Sequence, residues 1–470
     1  MKKVTSLFLC IILIFSLISC ASSAPEIVPE YDASVSEDDI DLGGKTLIMG
    51  MVQDYFFEGA DSVLTYITNT EFGDLAAQRL KDVEEKYNCN IEFDYVPRAG
   101  QLAFNSAVAG TYIFDYIQEE SYFLVNYIGA GAFVDLKTLD NIDVFDESKW
   151  GDRNMLVSTM FDGEIYGVLP AAHPLRVSNS MDGILFVNED YISNILATDP
   201  RDYFENGEWN WETFTHCLET YAHTSGISNE YVYALSSEFG SFACCLAMCN
   251  GNDYITIEDD KVELGYFTPA AIDAYNQAWE WYFGATASNV TEETGIDNFI
   301  AGKSVMTTLS AWQILSTTGS IAYMMENFGI LPYPCGPNAD NPNDYKIGYS
   351  AADFTICIPS TAKDPEVSAF VIDKIYSPFE GYETEESILD YLSKNYFRDE
   401  RDSKFFLEMS KNEHAYYHDS NHGIAGIGKL KDSGITRAVE AAREQMITNA
   451  KKYLVPAFST LQEYDEYFHD

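Results

Sequence analysis

Some residues in this chain have the type and spacing to do chemistry. His414, His418 and His422 recur every fourth residue in "HAYYHDSNH", and on an unbroken helix they would line one face and offer imidazoles to a metal ion. The segment "DSNHG" is turn chemistry that breaks such a helix before His422. The three therefore read as exposed histidines on a polar stretch. "CCLAMC" places Cys245 and Cys249 four apart on an apolar helix, but the segment holds no histidine and no second pair has zinc-ribbon spacing. These thiols read as small packed hydrophobes, and no metal and no other cofactor is expected. Adjacent carboxylates such as Glu119 and Glu120 invite comparison with a glycosidase. With 74 acids in 470 residues such neighbours are common, and a glycosidase pair is defined by its separation in space. No GxSxG, HExxH or Walker loop occurs, and "GIAGIG" at 423–428 lacks the strand that a dinucleotide loop follows. No catalytic residue is assigned. What remains is "FIAGKSVMTTLSAW", Phe299 to Trp312: a helical segment, a Gly-Lys turn, an apolar strand, and a small-residue loop that delivers one indole.

Elements of an α/β fold must position that indole. "KTLIMGMV" is an unbroken apolar run suited to a strand buried on both faces. In "GDLAAQRLKDVEEKYN", Ala76, Leu80, Val83 and Tyr87 recur at helical spacing. "NIEFDYVP" alternates Ile91, Phe93 and Tyr95 with polar positions until Pro97 ends it. Strand, helix, strand is the unit of a parallel sheet with right-handed crossovers. Further along, "FDYIQEE", "GEIYGVLP", "GILFVNED" and "YSAADFTICIP" read as strands, and "LVNYIGAGAFVDL" as a helix leading to a turn. Helices are expected to begin at Asn210, at Thr268 with Pro269 in the first position, and at Asp364 with Pro365. "GITRAVEAAREQMITNAKKYL" reads as a long amphipathic helix. A chain this long exceeds one hydrophobic core, so two lobes are expected.

The formal net charge of −46 excludes nucleic acid as a partner and disfavours strongly anionic ligands. At the N-terminus, Lys2 and Lys3 precede the apolar "SLFLCIILIFSL" and then "LISC", which ends at Cys20. The run has the proportions of a secretory signal, not of a membrane span. The ending is similar to the bacterial lipobox, a resemblance that makes residues 1–19 a lipoprotein signal peptide and Cys20 the lipidated N-terminus. Residues 20–44 then form a tether: Glu26, Glu30, Asp32, Glu37, Asp38, Asp39 and Asp41 stand there without a single Lys or Arg, a composition that stays extended. Seven further cysteines, odd in number and irregularly spaced, make no disulfide framework and are expected to be reduced.

Nine segments in order resemble the family 1 extracellular solute-binding proteins, the sugar-binding subunits of ABC importers. They include "LKDVEEKYNCNIEFDYVP", "FDGEIYGVLP", "GILFVNEDYI", "NGEWNWETF", "FIAGKSVMTTLSAW", "FGILPYPCGPN" and "STAKDPEVSAFVIDKIY". The resemblance implies a two-lobed, type II periplasmic-binding-protein-like fold with a ligand cleft between lobes and hinge crossovers. Lobe 1 would comprise 45–170 and 336–380, and lobe 2 would comprise 171–335 and 381–470. It further implies that Trp312, six residues beyond Met306, stacks on a sugar ring, whose C–H face suits an indole. Other contacts are expected from strand C-termini facing the crevice: Gln53, Asp54 and Tyr55, Glu119 and Glu120, Asp182, and Asp353. The expected function is that of a lipid-anchored binding protein, monomeric and not an enzyme. It would sit on the outer side of the cell membrane and hand a carbohydrate, an oligosaccharide, to permease subunits. The alternatives are a binder of another solute such as a peptide, and an extracellular glycan hydrolase. The loop "DYFFEGADSVLTYITNTEFGD" and the insert "AAHPLRVSNSMDG" depart from the family, so no particular sugar is inherited.

Overall fold

The computed structural model describes residues 37–410, apart from 53–61, 125, 152–155, 157–158, 162–163, 176–180, 227, 259–260, 294–295, 316–320, 342–344 and 350–353, together with residue 443. The signal segment, Cys20 and the tether as far as residue 36 lie outside the described residues. So do Gln53, Asp54, Tyr55 and Asp353, the three clustered histidines, "GIAGIG" and nearly all of the C-terminal amphipathic stretch.

The first sheet grows from β1 (Lys45–Val52), whose second half is buried throughout. Helix α1 (Glu71–Tyr87) starts at Thr70, whose hydroxyl accepts from Gly73 N, and stops at Asn88 in the left-handed region. β2 (Cys89–Val96) follows with the partial exposure of an edge strand. Next come α2 (Ala99–Ala109) and β3 (Tyr116–Glu120), the latter buried along its whole length. β1 lies between β2 and β3 in parallel register, Val52 opposite Val96 and Met51 opposite Gln118. The C-terminal ends of all three strands therefore share one edge.

The second sheet begins beyond a short ribbon strand, β4 (Met181–Asp182), with β5 (Ile184–Asn188). Helix α3 (Trp211–Tyr221) opens with a capping box at Asn210. β6 (His223–Thr224), β7 (Tyr231–Ser236) and the apolar α4 (Phe239–Met248) follow. Helix α5 (Pro269–Phe283) has the expected Thr268 cap and Pro269 start. Then come β8 (Ser304–Leu309), α6 (Trp312–Leu315) and β9 (Phe328–Pro332). The order is β6-β7-β8-β5-β9, with Val290–Thr291 also pairing with β7. Leu309 and Pro332 both stand opposite Ile184, so the ends of β8 and β9 meet the start of β5 at one edge.

The remaining elements join the lobes. β10 (Gly348–Tyr349) pairs with β4, and β11 (Phe354–Cys357) returns to the first sheet beside β3. The outward path runs from Val168, bridged to Ile356, to Met181, and the return path runs from Tyr349 to Phe354. The two paths are therefore paired at both ends. Helix α7 (Pro365–Ile375), capped by Asp364, packs on α1 through the edge-to-face pair Tyr87–Phe370 at 4.8 Å. The chain then crosses a third time to α8 (Glu400–Met409), whose Asp402 accepts Ile330 N from β9 at 3.0 Å.

Two expectations change. The helix expected through "LVNYIGAGAFVDL" is broken into Ser121–Leu124 and a single turn at Ile128–Ala130. Gly131 leaves helical space there at φ 75°, and a side chain at Gly129 would strike Phe161. The tether expected to run to Gly44 is docked from Glu37 onward: Glu37 accepts the Tyr87 hydroxyl at 2.6 Å and pairs with Lys374 and Lys86, and Leu42 is buried. The seven cysteines from Cys89 to Cys357 are buried free thiols.

Candidate ligand-binding site

Both sheet edges lie at the crossovers. On the second lobe, β8 carries Met306 into the core opposite Val187, and three residues past its end the chain presents Trp312 with 37% of its surface exposed. Backbone and side-chain bonds fix this position. Ala311 N donates to Met181 O at 2.8 Å, Ser310 N donates to Gln313 Oε1 at 3.0 Å, and the Ser310 hydroxyl donates to Asp182. Ala311, Ile314 and Leu315 are buried beneath, which leaves the indole as the outward-facing part of the turn. Asp182, only half-buried, stands opposite Gly348 of the returning strand. Two residues expected from the sequence, Trp312 and Asp182, are thus brought to one edge.

On the first lobe the expected acids behave differently. Glu120 is buried opposite Phe354, where the return crossover enters the sheet. Glu119 is fully buried and turned toward α2, where its Oε2 accepts from Gly100 N at 2.5 Å. That contact caps a helix whose own N-cap residue, Arg98, supplies no side-chain bond. Burial lifts the Glu119 carboxyl to about 7, against the downward pull of Gly100 N–H and of Arg98. Arg98 Nη1 stands 3.8 Å from Glu119 Oε1, and the Arg98 guanidinium lies 3.5 Å above the Phe123 ring.

Arg98, Phe123 and Ser310 are absent from the sequence-based set. Arg98 had a signal, being a lone base directly after Pro97 and the acidic "NIEFDYVP". Ser310, two residues before the indole, had one as well. Phe123 had none, because its relation to Arg98 is made only by the strand-to-helix turn after β3.

A two-sheet α/β body whose sheets each present one edge at paired crossovers defines a two-lobed binding-protein fold. The chain belongs to the family of bacterial extracellular solute-binding proteins, whose profile matches residues 78–375. No curated protein sequence matches it. Among solved structures it is similar to a sugar transporter from Rhizobium etli in an open conformation, with TM-score 0.58 and 14% identity over 86% of this chain and 99% of that one. An ABC substrate-binding protein from Listeria monocytogenes in complex with cycloalternan gives TM-score 0.55 and 12% identity over 86% and 98%. A cyclo/maltodextrin-binding protein complexed with maltotetraose gives 0.54 and 12% over 87% and 98%. At these identities the likeness is one of fold.

Proposed function

We propose that the chain is the lipid-anchored solute-binding subunit of an ABC importer. It captures a carbohydrate, an oligosaccharide, between its lobes and delivers it to the permease subunits from the outer side of the membrane. The observation that carries this reading is Trp312, an indole held half-exposed at the ligand edge of the second lobe beside the Asp182 carboxylate. A pyranose offers a C–H face to an aromatic ring and hydroxyls to a carboxylate. The structures bound to maltotetraose and cycloalternan share the fold, which supports the same class of ligand here. Gln53, Asp54, Tyr55 and Asp353 complete the rim in this proposal, and Cys20 carries the lipid. The lobes divide near residue 170 and near residue 380. The intervening return is best placed between Tyr349 and Phe354, because Gly336 N and Asn338 N still bond to Cys249 and Asn250 of the second lobe. Capture without turnover and a monomeric state complete the proposal.

Thermal unfolding of residues 21–470 with a panel of oligosaccharides, peptides and divalent ions tests this reading. A ligand bound only by the native state raises the midpoint by mass action. A rise with a sugar that Trp312→Ala abolishes is the expected result. A rise with peptides or ions alone would remove the carbohydrate assignment and leave the fold standing.

A further inference from the structure

Arg98 sits where β2 ends, one residue past Pro97, on the same edge as the ends of β1 and β3. It is a cation fixed at the ligand edge of a protein that carries a net charge of −46. Its guanidinium lies on the Phe123 ring at 3.5 Å to the centroid, so the plane is set before any ligand arrives. Of its donors, Nη1 reaches Pro97 O at 3.0 Å, and Glu119 Oε1 stands 3.8 Å away, beyond hydrogen-bond reach. No other acceptor bonds to it among the described residues. The side chain keeps 37% of its surface exposed, whereas Glu119 beneath it keeps none. One Glu119 oxygen accepts Gly100 N, and the other stands beneath the guanidinium without a hydrogen bond among the described residues. The exposed edge of the fork is thus flat, oriented and unsatisfied.

We propose that Arg98 is a ligand-contacting residue of the first lobe, its outward N–H donors binding adjacent hydroxyls of a sugar ring. The proposal rests on the carbohydrate reading above and deepens it. Neutral hydroxyls fit better than a carboxylate because the chain carries a net charge of −46, a field that disfavours an anionic ligand. A planar fork also suits two neighbouring oxygens on one ring, which a lysine ammonium cannot span. Arg98 on one lobe and Trp312 on the other then hold a sugar from opposite edges, one through hydroxyls and one through the C–H face.

The test is calorimetric titration of maltotetraose, mannotriose, cycloalternan and a glucuronate-terminated disaccharide into wild type, Arg98→Ala and Arg98→Lys. The side-chain Nε–H resonance of Arg98 is followed in parallel. For whichever neutral sugar binds, Arg98→Ala is expected to weaken affinity on the order of 10- to 100-fold, Arg98→Lys to recover only part of it, and the Nε–H resonance to shift on saturation. A neutral sugar that binds Arg98→Ala as well as wild type, with no shift of that resonance, overturns the Arg98 assignment and leaves the carbohydrate reading intact. Preference for the glucuronate sugar overturns the hydroxyl assignment. A wild type that binds none of the four sugars overturns both readings.

Discussion

The hydroxyl of Ser310 donates to the carboxylate of Asp182, tying the end of β8 to the ribbon strand that brings the chain over from the first lobe. The bond points one Asp182 oxygen at the loop that carries Trp312 and so sets the spacing between an acceptor and an aromatic face. Ser310→Ala keeps the backbone bond from Ala311 to Met181 and therefore keeps Trp312 in place. It removes the hydroxyl that holds one Asp182 oxygen toward the Trp312 loop. Affinity for the bound sugar should fall severalfold, on the order of one hydrogen bond, with little change in the ligand-free unfolding midpoint. Trp312→Ala should cost more, because the stacking surface itself is removed. Calorimetric titration of the two variants checks the order, and equal losses would mean that Ser310 also positions the indole.

Glu119 makes stability depend on pH near neutrality. Its carboxyl has an ordinary value of 4.5 and is raised by burial to about 7 in the folded protein. The folded state thus binds the proton more tightly than the unfolded state. The favourable contribution is complete below about pH 4.5 and is lost as pH rises through 7. Over that window wild type should lose stability relative to Glu119→Gln by about 3 kcal/mol, an order-of-magnitude figure. Glutamine keeps an oxygen for Gly100 N, so the variant should fold. Urea unfolding of both proteins at pH 5, 6, 7 and 8 tests the sign, and parallel curves would place the carboxyl near its ordinary value.

The caps were readable because a cap is a local event. Asn210, Thr268 with Pro269, and Asp364 with Pro365 each start a helix through contacts within three residues. Trp312 was readable for a similar reason, since the strand "SVMTTL" and the small loop after it fix where the indole emerges. The fate of Glu119 and Glu120 was not. β3 is buried on both faces, so no alternation of polar and apolar residues announces which acid turns inward. That choice is made by Gly100, nineteen positions earlier in the chain. The Ser310–Asp182 bond spans 128 residues and depends on β5 and β8 pairing antiparallel, which neither strand's own pattern specifies.

Arg201 is 3% exposed and lies among three carboxylates: Asp199 at 2.6 Å, Asp402 at 2.8 Å, and Glu189. Burial raises Asp402 to about 6 against the pull of Arg201, whereas Asp199, although buried, is held below its ordinary value by Arg201. The cluster fastens α8 to the second sheet through Asp402 and Ile330. Removing the cation takes the main counter-charge from buried Asp402 and half-buried Asp199, so Arg201→Met should destabilise the protein by about 3–5 kcal/mol. Hydrogen exchange across residues 400–409 should quicken first. Gly329→Ala should act on the same cluster, because a Cβ there would come within 2.3 Å of Arg201 Nη1. A stability loss spread evenly over both lobes would argue against α8 being the element released.

Glu37 is the first described residue and is fastened to the folded body. The Tyr87 hydroxyl, then Lys374 and Lys86, outweigh its burial and hold its carboxyl down at about 2. The folded state therefore favours the ionised form. The contribution is complete above pH 4.5 and is lost as pH falls toward 2. With half of the side chain exposed, the contribution is under about 1 kcal/mol. Its consequence is local: it keeps residues 37–42 on α1 and α7, at the end of β1 away from the ligand edge. Glu37→Gln should therefore quicken hydrogen exchange at residues 37–42, leave sugar affinity unchanged, and lower the unfolding midpoint slightly at pH 7 and less at pH 3. A change in sugar affinity would show that the point of departure of the N-terminal segment is coupled to the cleft, although the two lie at opposite ends of β1.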